Sequence, residues 1–248
     1  MRVDLSVRAV EARELMDDPD ADLRMLERTY HRFEPVNRLV SRPGALYRRD
    51  VSPRGADGRA LRILDVGAGG ADLCRMLSTR LRRDGIDAEI TALDPDERAI
   101  AWARQRDGGR GIRYRAAFTG DLVAAGEEFD LVVSNHLLHH LEDDELAVLL
   151  DDSRALVGSS GLVVHRDIAR SRTAYALFAL GTGLAAPLLS GSFIRDDGLT
   201  SIRRSHTVSE LRALAPAGWE VRAGLPARLE LRWEGGRIER ARARSRRP

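Results

Sequence analysis

The chain has 248 residues, 43% of them hydrophobic, which is enough for one large α/β domain with accessory helices. All forty basic residues are arginine. They stand against 38 acidic ones for a formal net charge of +2, and the surplus lies in the tail Arg237 to Pro248, where six arginines face Glu239 alone and leave residues 1–236 net acidic.

A single cysteine, Cys74, excludes an intramolecular disulfide framework and reads as a core thiol. Met1 to Glu11 alternates apolar and charged residues instead of forming the apolar stretch of a secretory signal, so a cytoplasmic protein is expected.

In chain order, helical periodicity over Val10 to Met16 and Leu23 to Phe33, ahead of Pro35, predicts an N-terminal helical cap over residues 1–54. Strands are predicted near 61 to 66, 87 to 93, 112 to 117, 130 to 134 and 161 to 167, alternating with helices as in a doubly wound sheet. Thr173 to Ile194 carries no charge over 22 positions. Its Gly181, Gly183 and Pro187, and its place between sheet elements, argue against a membrane span. Thr207 and Glu210 have capping-box spacing for a helix beginning near Val208, with His206 a surface residue before it. Two last strands, Trp219 to Ala223 and Arg228 to Trp233, flank Gly224-Leu225-Pro226-Ala227, which is short enough for a hairpin, so one of them must run antiparallel.

The densest signal is Leu61 to Asp72, LRILDVGAGGAD, an apolar strand entering a glycine turn that opens a helix. Gly67 and Gly69 permit torsions and a close ligand approach that a side chain would obstruct. Asp94 ends the second strand, where a carboxylate can accept from both hydroxyls of a ribose. The position that a dinucleotide site keeps small is Asp72, and Asp65 adds another negative charge. Carboxylates so placed disfavour a pyrophosphate and favour a ligand bearing an amino group or a sulfonium.

These residues resemble the class I S-adenosylmethionine-dependent methyltransferases. Their first motif is matched by Asp65, Gly67, Ala68 and Gly69, their second by Ile90 to Pro95, and their fourth strand by Phe129 to Asn135, followed by Leu137-Leu138-His139-His140-Leu141. Gly161 to Val164 matches the fifth strand, so the resemblance spans roughly residues 55 to 234. It implies a Rossmann-like, doubly wound, seven-stranded sheet with an antiparallel last strand, a helical lid insert over residues 171–205 within a domain of residues 55–236, and S-adenosylmethionine as cofactor. The cofactor residues it implies are Asp65, Gly67, Ala68, Gly69, Asp72, Asp94, Pro95 and Asn135, with Phe118 or Asp121 beside the adenine according to the register after the third strand.

His136, His139 and His140 follow the fourth strand, while His165 and Asp167 lie at the end of the fifth, on the rim where ligands of open α/β sheets bind. A neutral imidazole can take a phenolic proton as the methyl bond forms, and His139 or His140 with Asp167 is the expected catalytic set, with His165 in reserve and no metal required. The terminal hairpin disfavours a nicotinamide-binding domain, and Asn135-His136-Leu137-Leu138 departs from the Asn/Asp-Pro-Pro-aromatic signature of nucleic-acid amino-methyltransferases.

The uncharged Tyr175 to Leu180 segment suggests an apolar or aromatic acceptor. Arg166 to Ser171 and Asp197 to Arg204 look similar to bacterial natural-product tailoring enzymes, so O-methylation of a hydroxylated small molecule in secondary metabolism is expected. C- or N-methylation, an RNA-directed enzyme using the basic tail, and a non-catalytic cofactor-binding module are the alternatives. The tail itself reads as solvated and disordered, and nucleic acid and membrane are not expected partners.

Overall fold

The computed structural model describes residues 3–225 and 227–236; the basic tail from Arg237 and the hairpin residue Pro226 lie outside the described residues. Seven strands, β1 (Leu61–Val66), β2 (Ala88–Asp94), β3 (Arg113–Ala116), β4 (Leu131–Asn135), β5 (Leu162–Ile168), β6 (Glu220–Gly224) and β7 (Arg228–Glu234), form one sheet in the order β3-β2-β1-β4-β5-β7-β6. All neighbours from β3 to β5 are parallel, and β7 runs antiparallel to both β5 and β6, as the short hairpin requires.

The central strands are apolar on both faces, and alternation sorts their side chains between two cores. Ile63, Leu131, Val133 and Val164 pack on one face with the helices Leu23–Ser41, Asp72–Arg83 and Glu97–Gln105. Leu64, Val132 and Val163 pack on the other with Asp143–Val157 and Val208–Leu214. The strand order reverses between β1 and β4, and the crevice outside the strand ends opens there.

The N-terminal region differs in detail from its periodicity. Only Leu15–Asp17 makes a short 3₁₀ turn where a helix over Val10 to Met16 is expected, because this stretch is pulled across the strand ends by long-range bonds such as Ala9 N–H to the Arg203 carbonyl at 3.0 Å. The helix Leu23–Ser41 runs past Pro35, an exposed residue whose missing N–H removes one backbone bond, and stops where Arg42 turns left-handed at φ 45°.

The uncharged stretch divides into the helices Arg172–Leu184 and Ala186–Leu189 before Ile194–Arg204 begins. Among the described residues no helix is long and apolar enough to cross a membrane. Thr207 caps Val208–Leu214 together with Glu210, as the spacing predicts. His206 is a correction: it is buried, not on the surface, and burial beside the Arg8 cation pushes its imidazole down to about 4.

Candidate active site

A cavity of about 510 Å³ lies against the carboxyl ends of β1, β2 and β4 and is roofed by the N-terminal segment and the helices Arg172–Leu184 and Ile194–Arg204. One end is acidic and glycine-rich. Gly67 and Gly69 are left-handed at φ 66° and 50°, and a Cβ on Gly67 would lie 2.9 Å from Leu137 Cδ1. Asp94 fixes the turn by accepting from the Gly69 N–H at 2.8 Å and the Asp96 N–H at 2.9 Å.

Asp65 is buried beneath the turn and accepts the Cys74 thiol proton at 3.3 Å. Burial, reinforced by Asp94 and Asp72, pushes its carboxyl up to about 7, and burial raises Asp94 as well. The same burial pushes the Cys74 thiol up, so it stays protonated in the core. Carboxylates that resist ionisation together are relieved by a cation, which fits a ligand carrying an amino group and a sulfonium.

Asp72 lines the same cavity but is paired with Arg75, so part of its charge is already met. Ala68, Pro95 and Asn135 also line it, and Asn135 Oδ1 is a buried acceptor without a hydrogen-bond partner among the described residues. Phe118 and Asp121 fall outside the lining: the Phe118 ring is 69% exposed, and the Asp121 carboxylate is turned back to accept the Phe118 N–H at 2.9 Å and cap the helix Thr119–Ala124.

The other end carries three histidines on the turn after β4. His136 adopts φ 58° and its Nε2 lies 2.6 Å from Ser41 Oγ. His139 is buried, with Nδ1 2.8 Å from Asp167 Oδ1 and Nε2 3.2 Å from Glu14 Oε1. Burial alone would discharge this ring, yet Asp167 and Glu14 outweigh burial and push the imidazole up to about 10, while both carboxyls are held below their usual range. His139 is therefore held as a cation at neutral pH, with Nδ1 engaged by Asp167 and Nε2 by Glu14.

His140 keeps 28% of its side chain exposed, places Nδ1 3.1 Å from Asp17 Oδ2, and faces Glu14 with Nε2 at 3.8 Å. His165 does not join the cluster. It is wholly buried between Ser134 Oγ at 2.8 Å and Ser153 Oγ at 3.1 Å, and burial pushes it down to about 3.

No sequence signal singles out Glu14 or Asp17, and Arg204 stands out only within the Asp197 to Arg204 run. Glu14 lies 125 positions from His139, and its contact exists only because the chain start is laid across the strand ends. Ser201 Oγ donates to Glu14 at 2.7 Å from the helix Ile194–Arg204. From the end of that helix, the Arg204 guanidinium donates to the His139 carbonyl at 3.0 Å, the His140 carbonyl at 2.8 Å and the Val10 carbonyl at 3.1 Å, and also to that of Ala12. The arginine thus ties the histidine turn to the segment that brings Glu14.

Residues 63–161 match a family described as a methyltransferase domain. Among curated proteins, the chain is 34% identical over 157 residues to a ubiquinone biosynthesis O-methyltransferase of Methylobacterium sp. (strain 4-46), covering 62% of this chain and 60% of that protein. It is 32% identical over 167 residues to the protein of the same name from Brucella melitensis biotype 2 (strain ATCC 23457), covering 66% and 62%. The chain thus spans about three fifths of the length of these relatives.

Among solved structures, the plantazolicin methyltransferase BpumL in complex with SAH superposes with a TM-score of 0.60 at 13% identity, over 89% of this chain and 92% of that one. A structure described under conversion of a disulfide bond into a thioacetal group during echinomycin biosynthesis gives a TM-score of 0.53 at 19% identity, over 84% and 87%. At these identities the likeness establishes the fold.

Proposed function

We propose that the chain, whose residues 63–161 match a family described as a methyltransferase domain and whose fold is that of a class I S-adenosylmethionine-dependent methyltransferase, methylates a hydroxyl of an apolar or aromatic small molecule. The observation that carries this reading is that the acidic glycine cradle and the histidine–carboxylate cluster open into one cavity. S-adenosylmethionine supplies an activated, positively charged methyl donor. Asp65, Gly67, Gly69, Asp94 and Asn135 are the residues proposed to hold it, by charge, by close backbone approach and by the unpaired Asn135 carbonyl.

The acceptor then lies toward Phe178 and Phe33, aromatic walls contributed by a roof helix and the N-terminal helix. Methyl transfer needs alignment, exclusion of water and removal of the hydroxyl proton. His139, cationic between Asp167 and Glu14, positions the turn, and His140, oriented by Asp17 and open to the cavity, takes the proton. The names of the curated relatives support hydroxyl methylation, and those of the structural neighbours support natural-product acceptors.

The test is release of S-adenosylhomocysteine during incubation with a panel of phenols and naphthols. Turnover with at least one acceptor, reduced tenfold or more by His140→Gln with cofactor affinity retained, is expected. Cofactor binding with no turnover on the panel favours a non-catalytic module, and full activity of His140→Gln removes its role as base.

A further inference from the structure

We propose that Glu14, His139 and His140 form a site for one divalent transition-metal ion at the acceptor end of the cavity. One donor atom from each of the three residues, a carboxylate oxygen and two ring nitrogens, lies within 4.8 Å of the others. Glu14 is 3.2 Å from His139 Nε2 through one oxygen and 3.8 Å from His140 Nε2 through the other. Donors each bonded at about 2.1 Å to one ion stand roughly 3–3.5 Å apart, so small side-chain adjustments complete the set.

The surroundings of the two rings point the same way. Each histidine has its Nδ1 held by a carboxylate, His139 by Asp167 at 2.8 Å and His140 by Asp17 at 3.1 Å. That arrangement fixes both Nε2 atoms toward the same carboxylate, and it is the carboxylate–histidine pairing that orients metal-bound imidazoles and raises their basicity. A base needs one such histidine; two with convergent Nε2 atoms and a buried glutamate between them suit an ion. Three protein donors leave coordination positions open toward the cavity, where an acceptor oxygen can bind.

Two imidazoles and one carboxylate favour a borderline cation such as Zn²⁺ over Mg²⁺ or Ca²⁺, which prefer all-oxygen sets. The inference rests on the reading of this end of the cavity as the acceptor side. Binding of the ion displaces the His139 Nε2 proton to solvent, so that both histidines become ligands, and the hydroxyl proton then leaves to solvent from an oxygen bound to the ion.

Titration calorimetry of the intact chain with Zn²⁺ and separately with Mg²⁺, without cofactor or acceptor, tests it. One zinc per chain with micromolar or tighter affinity is expected, with Mg²⁺ far weaker. Glu14→Gln and His140→Gln are each expected to weaken zinc at least tenfold while the circular dichroism stays unchanged. His140 is the safer variant for folding, being partly exposed. No stoichiometric zinc, zinc affinity unchanged in both variants, or tighter Mg²⁺ than Zn²⁺ overturns the proposal. Because the readout needs no turnover, its failure leaves methyl transfer standing, and an absence of methyl transfer leaves zinc binding standing.

Discussion

His139 and Asp167 are joined twice: the ring Nδ1 lies 2.8 Å from one carboxylate oxygen, and the backbone N–H of His139 donates to the other at 2.9 Å. One buried side chain at the end of β5 thereby sets both the position and the charge of the turn after β4. Removing it leaves a buried cation facing Glu14 alone and an unpaired backbone N–H. Asp167→Ala is expected to cost about 3 kcal/mol or more of folding stability, read from urea denaturation midpoints at constant m-value. A loss well under 1 kcal/mol contradicts the buried-pair account.

Acid stability carries a second expectation. His165 is neutral and buried, with its imidazole pushed from 6.5 down to about 3 by burial. The unfolded chain binds a proton at this residue that the folded chain refuses, so stability is full above pH 6.5 and is lost as pH falls toward 3. Each unit of separation corresponds to about 1.4 kcal/mol, so the effect across the window is several kcal/mol. His165→Gln, which can still bond Ser134 and Ser153, is expected to flatten the decline in melting temperature between pH 6.5 and 4. An unchanged slope assigns the decline to other groups.

The glycine turn separates packing from ligand approach. Gly69 has nothing within 4 Å of a built Cβ but sits at φ 50°, so Gly69→Ala costs about 1–2 kcal/mol of backbone strain and places a methyl in the path of the ligand. Gly67→Ala meets Leu137 in addition. Calorimetry with S-adenosylhomocysteine is expected to show at least tenfold weaker binding for both, with the larger loss of melting temperature for Gly67→Ala. Unaltered affinity in Gly69→Ala places the cofactor elsewhere.

Arg204 holds two carbonyls of the histidine turn and two of the N-terminal segment through one guanidinium. Arg204→Lys keeps the charge but not the fork, and is expected to lower kcat at least fivefold with little change in cofactor affinity. Equal loss of both parameters indicates general unfolding of the cavity instead.

The strands and the glycine turn were legible because their signals are local: alternating or continuous apolar runs, glycines that must be left-handed, and an acid at a fixed distance. Asp167 and the histidine turn were legible as neighbours because both follow strand ends on one rim. Glu14 and Asp17 were not, since no local pattern says that an acidic N-terminal stretch folds over a site built more than a hundred residues later.

His206 misled for a related reason. Flanking arginines suggest solvent, but the Arg170 N–H donates to the His206 carbonyl at 3.0 Å and draws this helix-to-helix connection inward. Phe118 and Asp121 depended on a loop register that periodicity leaves open, and the Asp121 carboxylate is used to cap the helix Thr119–Ala124.

The most direct measurement is the location of the methyl group after reaction. Incubating the protein with methyl-deuterated S-adenosylmethionine and a panel of hydroxylated aromatics, followed by nuclear magnetic resonance of the product, identifies the atom that receives it. The account predicts a deuterated methyl ether on the acceptor oxygen. A methyl on carbon or nitrogen, or intact cofactor recovered with every acceptor, contradicts it.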